Sequence, residues 1–245
     1  MNEPVGRPPL LREGLVLGVA VLVFSVVHGR VGRDLGVATA HAVQVQQLEG
    51  ALHLDVELAA NRWLAARPAL SVAATVVYRS YYVVLLGVLA WAWLRHPEAY
   101  RRARRVLVAT GLLALVVYWA FPLSPPRFSL AGVVDVVARH DLLGGSSASP
   151  APAGPYSAMP SLHVGWSSWC AFTVWTALCR DRPVLGWAAW LFPAVMTLVV
   201  LGTGNHYVLD IAGSALVLTG GVLAGSVAGR AERPGWTDVE GRPQA

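Results

Sequence analysis

The sequence predicts an all-α integral membrane protein, and both its composition and the spacing of its apolar segments indicate this fold class. Hydrophobic residues make up 55% of the 245 residues and charged residues 13%, whereas a soluble domain carries about 25% charged residues. The apolar residues are gathered into blocks of about 20, the length of helix that crosses a bilayer. We therefore expect a single membrane domain over residues 1–245, built as a bundle of six transmembrane helices.

Each predicted span is a continuous apolar stretch bounded by charged residues or proline. The spans are roughly 11–29, 69–94, 104–122, 160–180, 184–202 and 206–228. Pro68, Pro160 and Pro183 stand near helix starts, where proline is tolerated because the first backbone N–H groups have no partner inside the helix. The amphipathic segment 30–68 predicts an additional helix at the membrane interface, and the polar segment 229–245 predicts a mobile cytoplasmic tail.

The distribution of arginine predicts how the bundle crosses the membrane. The formal net charge is +5, and all 19 basic residues are arginine. Four groups of arginines near the ends of the predicted spans fall on one side of a six-span bundle: Arg7 and Arg12; Arg95, Arg101, Arg102, Arg104 and Arg105; Arg180 and Arg182; and Arg230 and Arg233. The positive-inside rule makes that side cytoplasmic, so we expect both termini inside. This placement between apolar blocks argues against nucleic-acid binding. The lysine-free composition is typical of a GC-rich genome, which favours a bacterial plasma membrane.

The opposite side of the membrane then receives three connections, 30–68, 123–159 and 203–205. Gly, Ser, Pro and Ala are frequent around 144–155, within the second connection, and this composition predicts a flexible loop or lid. His163 begins the fourth predicted span and His206 begins the sixth. Both histidines are therefore expected at the outer face, which places a candidate active site outside the cell.

His206 and Asp210 are four residues apart, a spacing that puts two side chains on one face of a helix. An aspartate bonded to one ring nitrogen of a histidine leaves the other nitrogen basic, so His206 is a candidate nucleophile toward phosphorus. The spacing alone agrees equally with an Asp–His pair that only joins two helices.

His163 follows Ser161 at the start of the fourth predicted span. The first N–H groups of a helix have no internal partner and bind phosphate readily. Ser161 adds a hydroxyl donor, and His163 would protonate a leaving oxygen. A capped helix whose histidine faces interfacial water has the same sequence pattern, and the motif alone favours that interpretation.

Two arginines are candidates for substrate binding. Arg127 follows two prolines just beyond the third span, and its guanidinium suits bidentate contact with phosphate or with lipid head groups. Arg79 lies within the second span, where a charge is costly unless it faces protein, water or substrate. Glu57 and Asn61, again four apart, either line the mouth of the site or form a solvated helix face, and the solvated face is the favoured interpretation.

These motifs resemble those of the type 2 phosphatidic acid phosphatase superfamily of lipid-phosphate phosphatases. Pro160-Ser161-Leu162-His163 is similar to the second family motif, Pro-Ser-Gly-His, and His206 through Asp210 is similar to the end of the third, His-x-x-x-Asp. The resemblance covers roughly 105–225, the expected catalytic core. It implies a six-helix fold, catalysis without a metal or other cofactor, a phosphohistidine at His206 supported by Asp210, and His163 as acid to the leaving group.

The sequence also departs from that family pattern. The lysine-containing first motif is absent, and Val199 and Val200 occupy positions where the third motif has Ser-Arg. The Pro-Pro-Arg run ending at Arg127 and the string Asn205-His206-Tyr207 look instead like the inositol-phosphotransferase branch, which contains inositol phosphorylceramide synthase. This resemblance adds Asn205 and Tyr207 to the candidate substrate-binding residues.

Three functions follow as alternatives. The first is an enzyme that takes a phosphoryl group from a lipid phosphate or phospholipid and passes it to water, or to a polyol or sugar acceptor. The second is a non-catalytic lipid-binding module or transporter. The third is a metal hydrolase with His163, His206 and Asp210 as ligands, which the absence of a His-x-x-x-His pair disfavours. The enzyme agrees best with both histidine motifs, and we expect no bound metal.

Overall fold

The structure is a computed structural model that describes residues 6–140 and 156–231. Helices are the main secondary structure of these residues. Within those ranges the extended segments pair only at an isolated bridge between Leu123 and Ser157. The helices in chain order are α1 Leu10–His28, α2 Leu35–Ala51, α3 Glu57–Ala65, α4 Pro68–Arg95, α5 Pro97–Ala120, α6 Pro126–Ser129, α7 Val136–Arg139, α8 Leu162–Leu178, α9 Pro183–Ala188, α10 Leu191–Gly202 and α11 Val208–Ala231. The all-α class predicted from the sequence is confirmed.

Five helical segments among the described residues are long and apolar enough to cross a membrane: α1, α4, α5, α9 continued by α10, and α11. α8 occupies the fourth predicted span, has 17 residues and is not one of them. It lies inside the bundle, in contact with α4, α5, α9, α10 and α11. A helix enclosed by protein does not need a continuous apolar surface, and Trp169 of α8 is fully buried with its indole N–H donating to the carbonyl of Ala103 at 2.8 Å. The six-span arrangement stays a prediction.

The segment 30–68 forms two helices rather than the one predicted. α2 ends at Ala51, and His53, with φ at 56°, turns the chain before α3 begins at Glu57. A positive φ stops a right-handed helix, which is why the segment divides there. The predicted lid around 144–155 lies outside the described residues, as does the predicted tail beyond residue 231, while residues 229–231 form the last turn of α11.

α5 and α11 pack closely because glycines of α11 face α5. A Cβ added at Gly221 would lie 2.1 Å from Thr110 Oγ1 and 3.0 Å from the Thr110 backbone nitrogen. A Cβ at Gly225 would lie 3.2 Å from the Val106 backbone nitrogen. Small residues four apart let the backbones of two membrane helices approach each other. This contact fixes the position of the helix that follows His206.

α1 stands at the edge of the bundle and is attached at its two ends. Glu13, near the N-terminal end, is buried although it is charged. Its carboxylate accepts from Tyr100 Oη at 2.7 Å and forms an ion pair with Arg104. His28, at the C-terminal end, bonds Ser157 at 3.0 Å. Between these attachments α1 leaves space against α4 and α5.

Candidate active site

A cavity of about 910 Å³ fills the space between α1, α4 and α5, and His163 and His206 both line it. Most of its wall is apolar and comes from the facing sides of those three helices. Arg127 and Asn205 line it beside the two histidines. An apolar cavity with a few grouped polar side chains is the usual form of a binding site for a partly apolar ligand.

His206 is held in one orientation by two oxygen atoms. Its Nδ1 lies 2.9 Å from the carbonyl oxygen of Ala158 and 3.2 Å from Oδ2 of Asp210. A carbonyl oxygen only accepts hydrogen bonds, so Nδ1 carries the ring proton and Nε2 keeps its lone pair. The imidazole is therefore held as the tautomer that a nucleophile needs.

The pairing of His206 with Asp210 arises from a helix cap rather than from a shared helix face. α11 begins at Val208, so His206 precedes the helix that was predicted to contain it. Oδ2 of Asp210 accepts from the backbone N–H of Tyr207 at 2.9 Å as well as from the imidazole. The fold at the helix start thus brings the carboxylate back to His206.

His163 lies in the first turn of α8 and faces His206, with the ring centroids 5.9 Å apart. Tyr78 stacks against it at 4.0 Å and Tyr81 contacts it at 4.4 Å. These two α4 tyrosines set the plane of the imidazole.

Arg127 supplies the positive charge of the site, and Asn205 helps to hold its guanidinium. The guanidinium of Arg127 donates from Nη1 to Oδ1 of Asn205, and its Nε lies 3.3 Å from Oδ2 of Asp135. The backbone N–H of Arg127 donates to the carbonyl of Gly204 at 2.9 Å. A guanidinium held at two of its nitrogens presents its remaining N–H groups in a fixed direction, an arrangement suited to phosphate oxygens.

Ser161 and Tyr207, two predicted substrate residues, do not line the cavity. Ser161 is fully buried and caps α8, accepting from Val164 N at 3.4 Å, while its carbonyl accepts from Ser214 Oγ at 2.8 Å. It therefore joins α8, which carries His163, to α11, the helix that follows His206. The Tyr207 hydroxyl bonds Ser129 Oγ at 2.8 Å and accepts from Gln46 Nε2 at 3.0 Å.

Arg79 lies in α4 between Tyr78 and Tyr81, which both line the cavity, but it does not itself line the cavity. A helical residue one position after a cavity-lining residue is rotated about 100° away from it. The structure therefore brings together Arg127, His163, Asn205 and His206 of the predicted residues, with Asp210 directly behind His206.

The structure adds two carboxylates, Glu49 and Glu57, to the surroundings of the site. Oε1 of Glu49 accepts from Leu209 N at 2.7 Å, and Oε1 of Glu57 accepts from Val208 N at 3.0 Å. The pKa of Glu49 is raised to about 8, chiefly by burial; the Leu209 N–H opposes this rise, and the neighbouring Glu57 and Asp210 contribute to it. The start of α11 is thus held by side chains from α2 and α3.

The prediction that Glu57 and Asn61 form a solvated helix face is wrong. Both are buried, and Asn61 donates to the carbonyls of Val134 at 2.8 Å and Gly202 at 2.9 Å. Polar side chains four apart look alike in the sequence whether they face water or a neighbouring backbone. The apolar residues around Glu57 and Asn61 are a signal that could have indicated burial, because a solvated helix face carries mostly polar residues.

No group of three or more His, Cys, Asp or Glu side chains that could hold a metal ion occurs within residues 6–140 and 156–231.

Comparison with known families identifies the class of protein that this fold and site define. The family model described as the PAP2 superfamily matches residues 43–224. The chain belongs to the PAP2 superfamily, whose members are generally phosphatase-type enzymes. The match includes both histidines, Arg127 and the two carboxylates of α2 and α3, while α1 lies outside it. No curated protein and no solved structure matches the chain.

Proposed function

We propose that the protein is a membrane-embedded lipid-phosphate phosphatase or phosphotransferase that works through a phosphohistidine on His206. The observation that carries this proposal is the pair of imidazoles 5.9 Å apart at one cavity, with Nδ1 of His206 engaged by Ala158 and Asp210. Nε2 of His206 is then free to attack phosphorus, and His163 stands on the other side of the space where the phosphoryl group would lie.

The reaction would proceed by two displacements at phosphorus. His206 Nε2 forms a bond to phosphorus as the bond to the lipid oxygen breaks, and His163 gives its proton to that oxygen. Water or an alcohol then forms a new bond to phosphorus as the P–N bond breaks, and its proton passes to His163. Arg127 holds the non-bridging oxygens throughout, because cationic donors fixed in advance stabilise the charge on the transferred group.

A lipid substrate suits the shape of the cavity. The apolar wall formed by α1, α4 and α5 would hold acyl chains, while the polar head group would lie between the two histidines and Arg127. The arginine distribution supports an orientation with cytoplasmic termini and the site facing outside the cell. The inositol-phosphotransferase branch is supported by the Pro-Pro-Arg run and the Asn205-His206-Tyr207 string.

The proposal is tested with the purified protein in detergent micelles and phosphatidic acid as substrate. We expect release of inorganic phosphate, or a phosphorylated alcohol when glycerol or inositol is added, and no effect of EDTA. His206→Ala should abolish both products, whereas His41→Ala, a histidine that does not line the cavity, should retain them. Phosphate release that persists in His206→Ala, or that requires an added metal, would contradict the proposal.

The same experiment separates the alternative of a non-catalytic lipid-binding module. That alternative predicts binding of phosphatidic acid without release of any product, in the unaltered protein and in His206→Ala alike. Trapping of a labelled phosphoryl group on the protein, stable to base and labile to acid, and absent from His206→Ala, would exclude it.

A further inference from the structure

A third imidazole lines the cavity without a part in the reaction described above. His28, the last residue of α1, bonds Ser157 with its Nε2 3.0 Å from the serine Oγ, and both residues line the cavity. The ring stacks on Phe24 at 5.5 Å and meets Tyr118 edge-on at 5.3 Å. The His28 ring is half-buried, has aromatic rings on two sides and borders the open cavity.

The His28–Ser157 pair is coupled to the reacting histidines by a short stretch of chain. Ser157 precedes Ala158, whose carbonyl oxygen fixes Nδ1 of His206. Tyr118, which contacts the His28 ring, donates through its hydroxyl to the carbonyl of Pro160 at 2.9 Å. The pair therefore lines the same cavity as His206 and as Arg127 of α6.

The hydrogen-bonding capacity of the pair suits a hydroxyl group. A serine hydroxyl has one donor and two acceptor positions, and a single bond to an imidazole leaves others for a ligand. Nδ1 of His28 has no hydrogen-bond partner among the residues that the structure describes. Neither group has a fixed charge to match a second phosphate, whereas both exchange donor and acceptor roles as an alcohol does.

We propose that His28 and Ser157 form a hydroxyl-binding subsite for the alcohol that enters or leaves the phosphorus atom. This inference rests on the proposed function. In each displacement the attacking and leaving atoms stand on opposite faces of phosphorus, so with His206 on one face the alcohol must occupy the other. The alcohol oxygen bonds to phosphorus as the P–N bond of His206 breaks, His163 takes its proton, and the subsite holds a second hydroxyl of the same molecule.

The position of His28 outside the matched family region supports a role in specificity. The family match covers residues 43–224, which include every residue assigned to phosphoryl transfer, and α1 precedes it. The chemistry common to the superfamily therefore lies within the match, while α1 adds one wall of the cavity and one imidazole. Selection of the alcohol by α1 would therefore depend on a segment outside the region that matches the family.

The test measures the ratio of phosphorylated alcohol to inorganic phosphate with phosphatidic acid as donor. Glycerol, with several hydroxyls, is compared with 1-propanol at equal concentration. His28→Phe keeps the ring contacts with Phe24 and Tyr118 and removes the ring nitrogens, and Ser157→Ala removes the hydroxyl. We expect each to lower the glycerol ratio about three- to tenfold, the size of one or two lost hydrogen bonds, with a smaller effect on propanol.

His41→Phe is the matched control. His41 also bonds a single partner, the carbonyl of Pro122 at 2.8 Å, and stacks on a phenylalanine, Phe121, at 4.1 Å, but it does not line the cavity. The glycerol ratio should be unchanged in this variant. A lower ratio in both histidine variants would mean that general loosening of the fold causes the effect, and this would overturn the subsite.

A second arm identifies the source of the hydroxyl. Lysophosphatidic acid carries a free hydroxyl on its leaving group and phosphatidic acid does not. A defect of His28→Phe that is confined to glycerol transfer assigns the subsite to a free acceptor, and one confined to the preference for lysophosphatidic acid assigns it to the leaving head group. No defect in either arm overturns the inference, while phosphate release that still depends on His206 would leave the proposed function standing.

Discussion

The ring of His163 stacks on the ring of Tyr78, with centroids 4.0 Å apart and planes inclined by 22°. The hydroxyl of the same tyrosine lies 3.4 Å from Oδ1 of Asn205, which also accepts from Arg127. One side chain of α4 thus connects the proposed acid to the proposed phosphate-binding group. A shift of α4 would move both, so the proton donor and the cation stay in register around the phosphoryl position.

Replacement of His163 tests its role as proton donor. His163→Asn should lower kcat for phosphatidic acid by about 10² to 10⁴, the usual contribution of a general acid. With p-nitrophenyl phosphate, whose leaving group needs no proton, the first displacement should be much less affected, and labelled phosphohistidine should accumulate because the second step lacks its base. The two substrates are compared by burst kinetics. Equal losses with both, without accumulation of the intermediate, would contradict this role.

Asp210→Asn tests the charge behind His206 without removing the hydrogen bonds. The amide oxygen of the asparagine can replace Oδ2, which accepts from His206 Nδ1 at 3.2 Å and from Tyr207 N at 2.9 Å. Because the carbonyl of Ala158 still fixes the tautomer, we expect kcat to fall by about 10- to 100-fold rather than to vanish. Asp210→Ala removes both bonds and should cost more. Similar rates for the two variants would show that the charge alone matters.

Glu49 predicts a pH dependence of stability. In the folded protein its pKa is about 8, raised chiefly by burial from the usual 4.5. The folded state therefore keeps a proton that the unfolded chain releases, so the contribution of Glu49 to stability is full below about pH 4.5 and declines as pH rises toward 8, by up to about 1.4 kcal/mol per pH unit.

Glu49→Gln should remove that decline, because the glutamine oxygen still accepts from Leu209 N and carries no proton to lose. The measurement is thermal unfolding in detergent at steps between pH 5 and pH 8.5. A control is Glu98→Gln, which changes a carboxyl group in the first turn of α5. Parallel curves for the unaltered protein and Glu49→Gln would contradict the prediction.

Gly221→Ala tests the contact between α5 and α11. The added methyl would lie 2.1 Å from Thr110 Oγ1 and 3.0 Å from the Thr110 backbone nitrogen, so the helices must separate. We expect a loss of about 1 to 3 kcal/mol, the usual cost of overpacking, seen as a lower unfolding temperature. Gly87→Ala is the control, since nothing lies within 4 Å of its added Cβ; this substitution in the middle of α4 should be neutral or stabilising. Equal effects of the two would contradict the packing argument.

Local patterns account for the parts of the site that the sequence predicted. Ser161 caps α8 and places His163 in its first turn, as the Pro-Ser-Leu-His string indicates. His206 and Asp210 form their pair because four residues span one helix start. These contacts join neighbours in the chain, so residue type and spacing are enough to predict them.

Contacts between distant segments were beyond that reasoning. Tyr207 was expected to touch substrate, yet it does not line the cavity, and its hydroxyl bonds the distant Ser129 and Gln46. Glu57 was assigned to a solvated face and instead holds the start of α11 across 151 residues of sequence. A polar side chain has the same identity in water and at a buried helix end, and the packing of the surrounding helices decides between them.

By itself the sequence determined that the chain is helical, that it is apolar enough for a membrane, and that two histidines lie close to helix starts. These properties depend on composition and on spacing along the chain. Only the tertiary structure decided that α8 lies enclosed within the bundle, that two glutamates hold the helix behind His206, and that His28 of α1 reaches the cavity. Each of these depends on which faces of separate helices meet. The free energy of that packing comes from contacts between segments that are far apart in the sequence, so it cannot be read from any one segment.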